Sequence, residues 1–203
     1  MEKEIKTGTT TVGIAGKDCV VLAADMRATM GHLAYEEETK KVHKITDSIG
    51  LTLAGNVGDA FMMVRFLKSQ AKLFEIERET KMSTKAMATY LSNVLNSNRY
   101  YPYIAQFIIG GVNEKPELFD VAPFGDILER KRYAVTGSGT ELALSLLDSQ
   151  YKDGMSEQET VKLAISAVKS AKKRDIYSGG KGISIMIINS QGIKELVEED
   201  LKN

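Results

Sequence analysis

The sequence predicts an α+β fold in which two antiparallel sheets pack face to face and each is covered on its outer side by a helix pair, a four-layer αββα sandwich. Three observations lead there. Strand-like runs, two helix-like stretches, further strands, two more helices and closing strands follow one another in that order. Apolar runs such as Cys19-Val20-Val21-Leu22-Ala23-Ala24 suit strands covered on both faces. No linker rich in Pro, Gly or Ser and no short-period repeat divides the 203 residues, which suit one domain with a full core.

The elements follow in order. Residues 1–8, MEKEIKTG, are polar and carry charges of both signs, with Ile5 as the one sizeable apolar residue, so they bury too little surface to order themselves. Residues 9–14 turn to β-branched types and read as a strand. Gly16-Lys17-Asp18 is a turn, and 19–25 is a buried strand containing Cys19 as a small core residue. Residues 26–31 form a loop or short hairpin element. Glu36-Glu37-Glu38 reads as a solvated acidic face, and 39–45 as a short basic strand. Residues 48–54 give another strand, which runs into Gly55-Asn56-Val57-Gly58-Asp59.

Ala60, Met63, Val64, Leu67, Ala71 and Phe74 recur at helical spacing. Ser83 is the N-cap of a second helix carrying Met87, Leu91 and Leu95. Pro102 closes the connection to three strands, at 105–112, 117–122 and 131–136. Gly137-Ser138-Gly139 leads into a helix with Leu142, Leu146 and Leu147. Ser156 and Glu159 form a capping-box pattern that opens a fourth helix, which ends in Lys172-Lys173-Arg174. After a loop at 175–180, strands at 182–188 and 193–197 close the fold.

Composition narrows the function. Lys+Arg and Asp+Glu both number 27, so the formal charge is zero and gives no reason to expect nucleic acid or an anionic membrane as partner. One cysteine excludes an internal disulfide and fits a reducing compartment. No apolar run is long enough to span a bilayer, and the N-terminus lacks a signal-peptide apolar region, so a cytoplasmic location is expected.

Chemistry is narrowed in the same way. The two histidines, His32 and His43, sit beside no serine in a nucleophile-elbow pattern. Two histidines and one cysteine are too few for a metal cluster, and no glycine motif cradles a phosphate, so no metal or cofactor is expected. What remains is Gly8-Thr9-Thr10-Thr11. Read alone, the three threonines are first of all good strand formers. If the bond after Gly8 is cut, however, Thr9 carries a hydroxyl and a free α-amine together. An α-amine titrates near about 7.7–8.0, where it serves as a base for that hydroxyl.

Further pieces give the chain a specific resemblance. Gly8-Thr9-Thr10-Thr11-Val12-Gly13, Ala24-Asp25 followed by Arg27, Lys40-Lys41, Ala54-Gly55 with Gly58-Asp59, Thr136-Gly137-Ser138-Gly139, and Lys173-Arg174-Asp175 with Ser178-Gly179-Gly180 span nearly the whole chain. Together they resemble a proteasome β subunit of the archaeal type, in the N-terminal-nucleophile hydrolase family.

The resemblance implies the following. Residues 1–8 are a propeptide, cut between Gly8 and Thr9, and 9–203 are a single catalytic domain. Thr9 is the nucleophile of a threonine endopeptidase. Lys41 stabilises its alkoxide or relays its proton, and Asp25 orients Lys41. The Gly55 amide supplies the oxyanion hole. Ser138, Asp175 and Ser178 support the Thr9 amine. Ala28, Thr29, Leu53, Gly55 and Val57 bind substrate, and their apolar members imply a chymotrypsin-like preference. The implied partners are α-subunit rings, other β subunits in stacked heptameric rings, an ATPase regulator acting indirectly, and unfolded protein substrates. A noncatalytic ring-building subunit and the bacterial ATPase-dependent relative of the proteasome are the competing readings.

Overall fold

The computed structural model describes residues 8–199. The proposed propeptide, 1–8, therefore lies outside the described residues except for Gly8.

The first strands form where β-branched and apolar residues run together: Thr10–Ala15 (β1) and Cys19–Asp25 (β2), joined by the turn at 16–18. Every residue of both is buried. In β2 the pleat sends Cys19, Val21 and Ala23 to one apolar layer and Val20, Leu22 and Ala24 to another. That two-sided burial is why the run reads as continuously apolar. A hairpin of Ala28–Met30 (β3) and Leu33–Glu36 (β4) follows. Val42–Lys44 (β5) and Ile49–Gly55 (β6) come next.

Val57–Arg78 (α1) is capped by the Asn56 side chain, which accepts from the Gly58 and Asp59 amides. Thr84–Ser97 (α2) is capped by Ser83 as its position predicts. Ala105–Val112 (β7), Pro116–Val121 (β8), Ile127–Glu129 (β9) and Tyr133–Gly137 (β10) lead to Thr140–Gln150 (α3) and Glu157–Lys172 (α4). The capping box at the start of α4 is complete: Ser156 and Glu159 each bond the other's backbone amide. Gly182–Asn189 (β11) and Gly192–Glu199 (β12) close the chain.

Two five-stranded sheets result, ordered β10-β1-β2-β11-β12 and β5-β6-β7-β8-β9, with all pairings antiparallel. One apolar cluster lies between α1/α2 and the second sheet, one between α3/α4 and the first sheet, and one between the sheets. The four-layer αββα architecture is the one expected. The hairpin after β2 is one of the two forms expected for 26–31, and its second strand runs on to Glu36. Two details differ. The run between the second and third of the expected middle strands holds a further short strand, β9. The acidic triplet is not merely solvated: Glu37 pairs with Arg27 at 3.2 Å and Glu38 with Lys181. Among the described residues no helix is long and apolar enough to cross a membrane. Cys19 is buried and free.

Candidate active site

The antiparallel register decides what meets at one end of the sandwich. Thr11 faces Ala24 across β1 and β2, so Asp25, the last residue of β2, comes level with Thr10. The Thr10 amide donates to Asp25 Oδ1 at 2.9 Å. On the other side of β1, Thr10 is opposite Gly137, which places Ser138 beside Thr9. The second sheet contributes Lys41, just before β5, whose carbonyl accepts from the Leu53 amide of β6 at 3.0 Å. Lys41 Nζ reaches across to Asp25 Oδ1 at 2.8 Å.

Asp25 is fully buried and fully occupied. Its Oδ1 accepts from Thr10 and Lys41, and its Oδ2 from the amides of Gly179 at 2.8 Å and Arg27 at 3.2 Å. Two strands and the 175–180 loop thus converge on one carboxylate. Burial pushes the Lys41 ammonium below its ordinary pKa, against the opposing pull of Asp25, and the Arg27 charge adds to the lowering. No other described group accepts a hydrogen bond from Lys41 Nζ.

Thr9 is 5% exposed. Its amide donates to Ser138 Oγ at 3.1 Å, and its hydroxyl donates to the Gly8 carbonyl at 2.7 Å. Asp175 Oδ2 accepts from Ser138 Oγ at 2.6 Å and from Ser178 Oγ at 2.5 Å. Each hydroxyl has one proton. With the Ser178 proton on Asp175, the 2.7 Å bond between Thr10 and Ser178 must use the Thr10 hydroxyl as donor. A continuous path therefore runs from the Thr9 amide through Ser138, Asp175, Ser178, Thr10 and Asp25 to Lys41.

The remaining expected residues lie on neighbouring elements. Gly55 ends β6 with φ 114°, and a Cβ there would meet the Ile104 carbonyl at 2.3 Å, so only glycine fits. Leu53 is buried on the same strand, and Val57 opens α1 with 46% exposure. Ala28 and Thr29 are half-buried in β3, and Thr29 Oγ1 donates to the Tyr177 carbonyl at 3.2 Å. No hydrogen bond joins these five residues to Thr9. Nor does one join Thr9 to Lys41.

Sequence reasoning missed Thr10, whose amide and hydroxyl link the two halves of the path. A second threonine in a strand carries no signal of that role. It also missed a buried hydroxyl chain across the sheets, in which Thr52 donates to Thr11 at 3.0 Å and Thr11 bonds Thr136 at 2.6 Å.

Residues 5–188 match the family described as proteasome subunit. The chain belongs to the proteasome subunit family. Within the family it is similar to the proteasome subunit beta of Methanocaldococcus fervens, 45% identical over 98% of this chain and 89% of the relative. It is 46% identical to the proteasome subunit beta 2 of Pyrococcus abyssi, over 96% of this chain and 93% of the relative. The proteasome subunit beta 1 of Thermococcus kodakarensis is 43% identical over 100% of this chain and 98% of the relative. The chain is thus a proteasome β subunit of the archaeal type, and its two-sheet α+β architecture accords with that family.

Proposed function

We propose that this chain is a threonine endopeptidase subunit of a proteasome core particle, and that Thr9 is its nucleophile. The observation that carries the reading is the hydrogen-bonded path that begins at the Thr9 amide and ends at the buried Asp25–Lys41 pair. A ring-building subunit without catalysis gains little from a desolvated lysine just before β5, since a buried ion pair is weak evidence for stability.

In this reading residues 1–8 are a propeptide and 9–203 the catalytic domain. The Thr9 hydroxyl oxygen attacks the Gly8 carbonyl carbon, and its proton passes to the departing Thr9 nitrogen. Water then hydrolyses the resulting ester, which leaves a Gly8 carboxylate and restores the Thr9 hydroxyl beside a free α-amine. In turnover that amine accepts the hydroxyl proton, and Lys41 stabilises or relays it, held by Asp25. The Gly55 amide binds the oxyanion, where one donor is worth about 3–4 kcal/mol. Ser138, Asp175 and Ser178 hold the amine. Ala28, Thr29, Leu53 and Val57 shape the substrate site, which prefers large apolar residues before the cut.

The subunit works in stacked heptameric β rings between α rings, in the cytoplasm, on unfolded chains delivered indirectly by an ATPase. The relatives' shared designation as proteasome β subunits supports this over the bacterial alternative.

The test is peptide hydrolysis by the chain assembled with proteasome α subunits, with N-terminal sequencing alongside. A mature terminus at Thr9 and turnover that both vanish in Thr9→Ala are expected. A Thr9→Ala chain that still loses residues 1–8, in a host without another proteasome, would overturn autolysis.

A further inference from the structure

The glycine before the proposed cut has a neighbour that explains why it must be glycine. Gly8 is buried. A Cβ built on it would lie 1.7 Å from Tyr177 Cβ, 2.4 Å from Tyr177 Cγ and 2.8 Å from Ser138 Oγ. The first of these contacts is with the base of the tyrosine side chain, so turning the ring cannot relieve it. Nor is the Tyr177 backbone free to withdraw. Its amide donates to Asp175 Oδ1 at 3.2 Å, and its carbonyl accepts from Thr29 Oγ1 at 3.2 Å. The next two residues are tied as well, Ser178 to Asp175 and Gly179 to Asp25.

We propose that Tyr177 is the residue that makes glycine obligatory at position 8, because its Cβ fills the space any side chain there would need. This deepens, and rests on, the reading that residues 1–8 are removed autocatalytically. A side chain at position 8 forces that residue or the 175–180 loop to move. Either movement takes the carbonyl away from the Thr9 hydroxyl, which now donates to it at 2.7 Å, and such attacks are steeply sensitive to placement. Tyr177 acts as a positioning residue and takes no part in bond making.

The same nucleophile is thereby given two opposite selections. In maturation the residue before the cut faces Tyr177 and Ser138 and must be glycine. In turnover the residue before the cut enters the pocket of Ala28, Leu53 and Val57, which prefers a large side chain. The precursor and substrate bonds therefore present their preceding residues in different directions.

The experiment follows maturation of the full chain assembled with proteasome α subunits, by intact mass over time. The chains compared are wild type, Gly8→Ala, Tyr177→Phe, Tyr177→Gly and the two double variants. Gly8→Ala should mature at least about tenfold more slowly than wild type. Tyr177→Phe keeps the Cβ, so it should mature normally and leave the Gly8→Ala defect in place. Tyr177→Gly removes the Cβ, so Gly8→Ala/Tyr177→Gly should mature within about threefold of Tyr177→Gly itself. Taking the rate relative to Tyr177→Gly removes any general effect of that change on the loop.

Normal maturation of Gly8→Ala, or rescue by Tyr177→Phe, would overturn the proposal. So would a Gly8→Ala defect undiminished in the Tyr177→Gly background. Crystal structures of assembled, uncleavable Thr9→Ala particles with and without Gly8→Ala give a readout that does not depend on Tyr177→Gly folding. Displacement of position 8 or of Tyr177 is expected, and an unmoved pair would overturn the wall. Loss of residues 1–8 from Thr9→Ala would instead defeat autolysis itself, and these structures, taken before that loss, still report on the wall.

Discussion

Asp25 at the end of β2 and Lys41 just before β5 meet 2.8 Å apart, with side chains 0% and 3% exposed. Removing the lysine leaves the carboxylate three backbone donors, from Thr10, Arg27 and Gly179, so the fold should persist. Lys41→Ala is therefore expected to abolish peptide turnover in particles of native mass. Lys41→Arg should not restore it, because a guanidinium keeps its proton and has a different shape. Near-normal turnover in the arginine variant would sink the proton-relay role.

Asp25→Asn should behave differently. It removes the charge that offsets burial of the Lys41 ammonium and turns an amide toward groups that are themselves donors. A loss of about 3 kcal/mol or more is expected for one partner of a buried pair. Denaturant unfolding of the dissociated subunit measures it, and a change below about 1 kcal/mol would contradict the structure's account of Asp25.

His43 supplies a pH dependence of stability. It is buried, its Nε2 bonds the Lys40 carbonyl at 3.0 Å, and its ring meets the Phe61 ring edge-on. Burial lowers its pKa, so between the folded and unfolded values the unfolded chain binds more protons. Stability must then rise with pH through that window and fall as pH drops below the ordinary histidine value of about 6.5. His43→Gln should lose less melting temperature than wild type between about pH 7.5 and about pH 5.5. Equal losses in the two proteins would show that His43 does not contribute.

The pocket assignment predicts a substrate preference. In the proposed substrate site Leu53 and Val57 would form an apolar wall, and neither they nor Ala28 can pair a charged side chain. Burying a large apolar side chain there gains roughly 1.5–3 kcal/mol, whereas burying an unpaired charge costs several. Fluorogenic peptides differing only at the residue before the cut should be cleaved at least about tenfold more efficiently after leucine, phenylalanine or tyrosine than after charged residues. Equal or faster cleavage after glutamate or arginine would show the pocket to be wrongly placed.

What was legible in the sequence was local. The run at 19–25 announces a strand by its composition, and the Ser83 and Ser156 caps announce helix starts because the capped amides lie within three residues. The three residues Ile127–Glu129 are too few to show alternation, so β9 left no trace. The acidic triplet read as solvent-facing because its partners are distant, Arg27 ten residues from Glu37 and Lys181 143 residues from Glu38. The site depended most on distance. Asp25 and Lys41 are 16 residues apart, one ending a strand of the first sheet and the other just preceding a strand of the second, and Ser138 and Ser178 reach β1 only through strand register and the loop at Asp175. Family motifs marked these residues, but only the folded chain set Thr10 among them.

The proposed autolysis and the enclosure of the Gly8–Thr9 bond together predict the order of the reaction that would break it. Gly8 is buried against Tyr177 and Ser138, and Thr9 is 5% exposed, so a second protease has no approach to the peptide. If the Thr9 hydroxyl opens that bond as proposed, it does so unimolecularly. Its half-life should stay the same when assembled precursor is diluted, and mature particles added from outside should not shorten it.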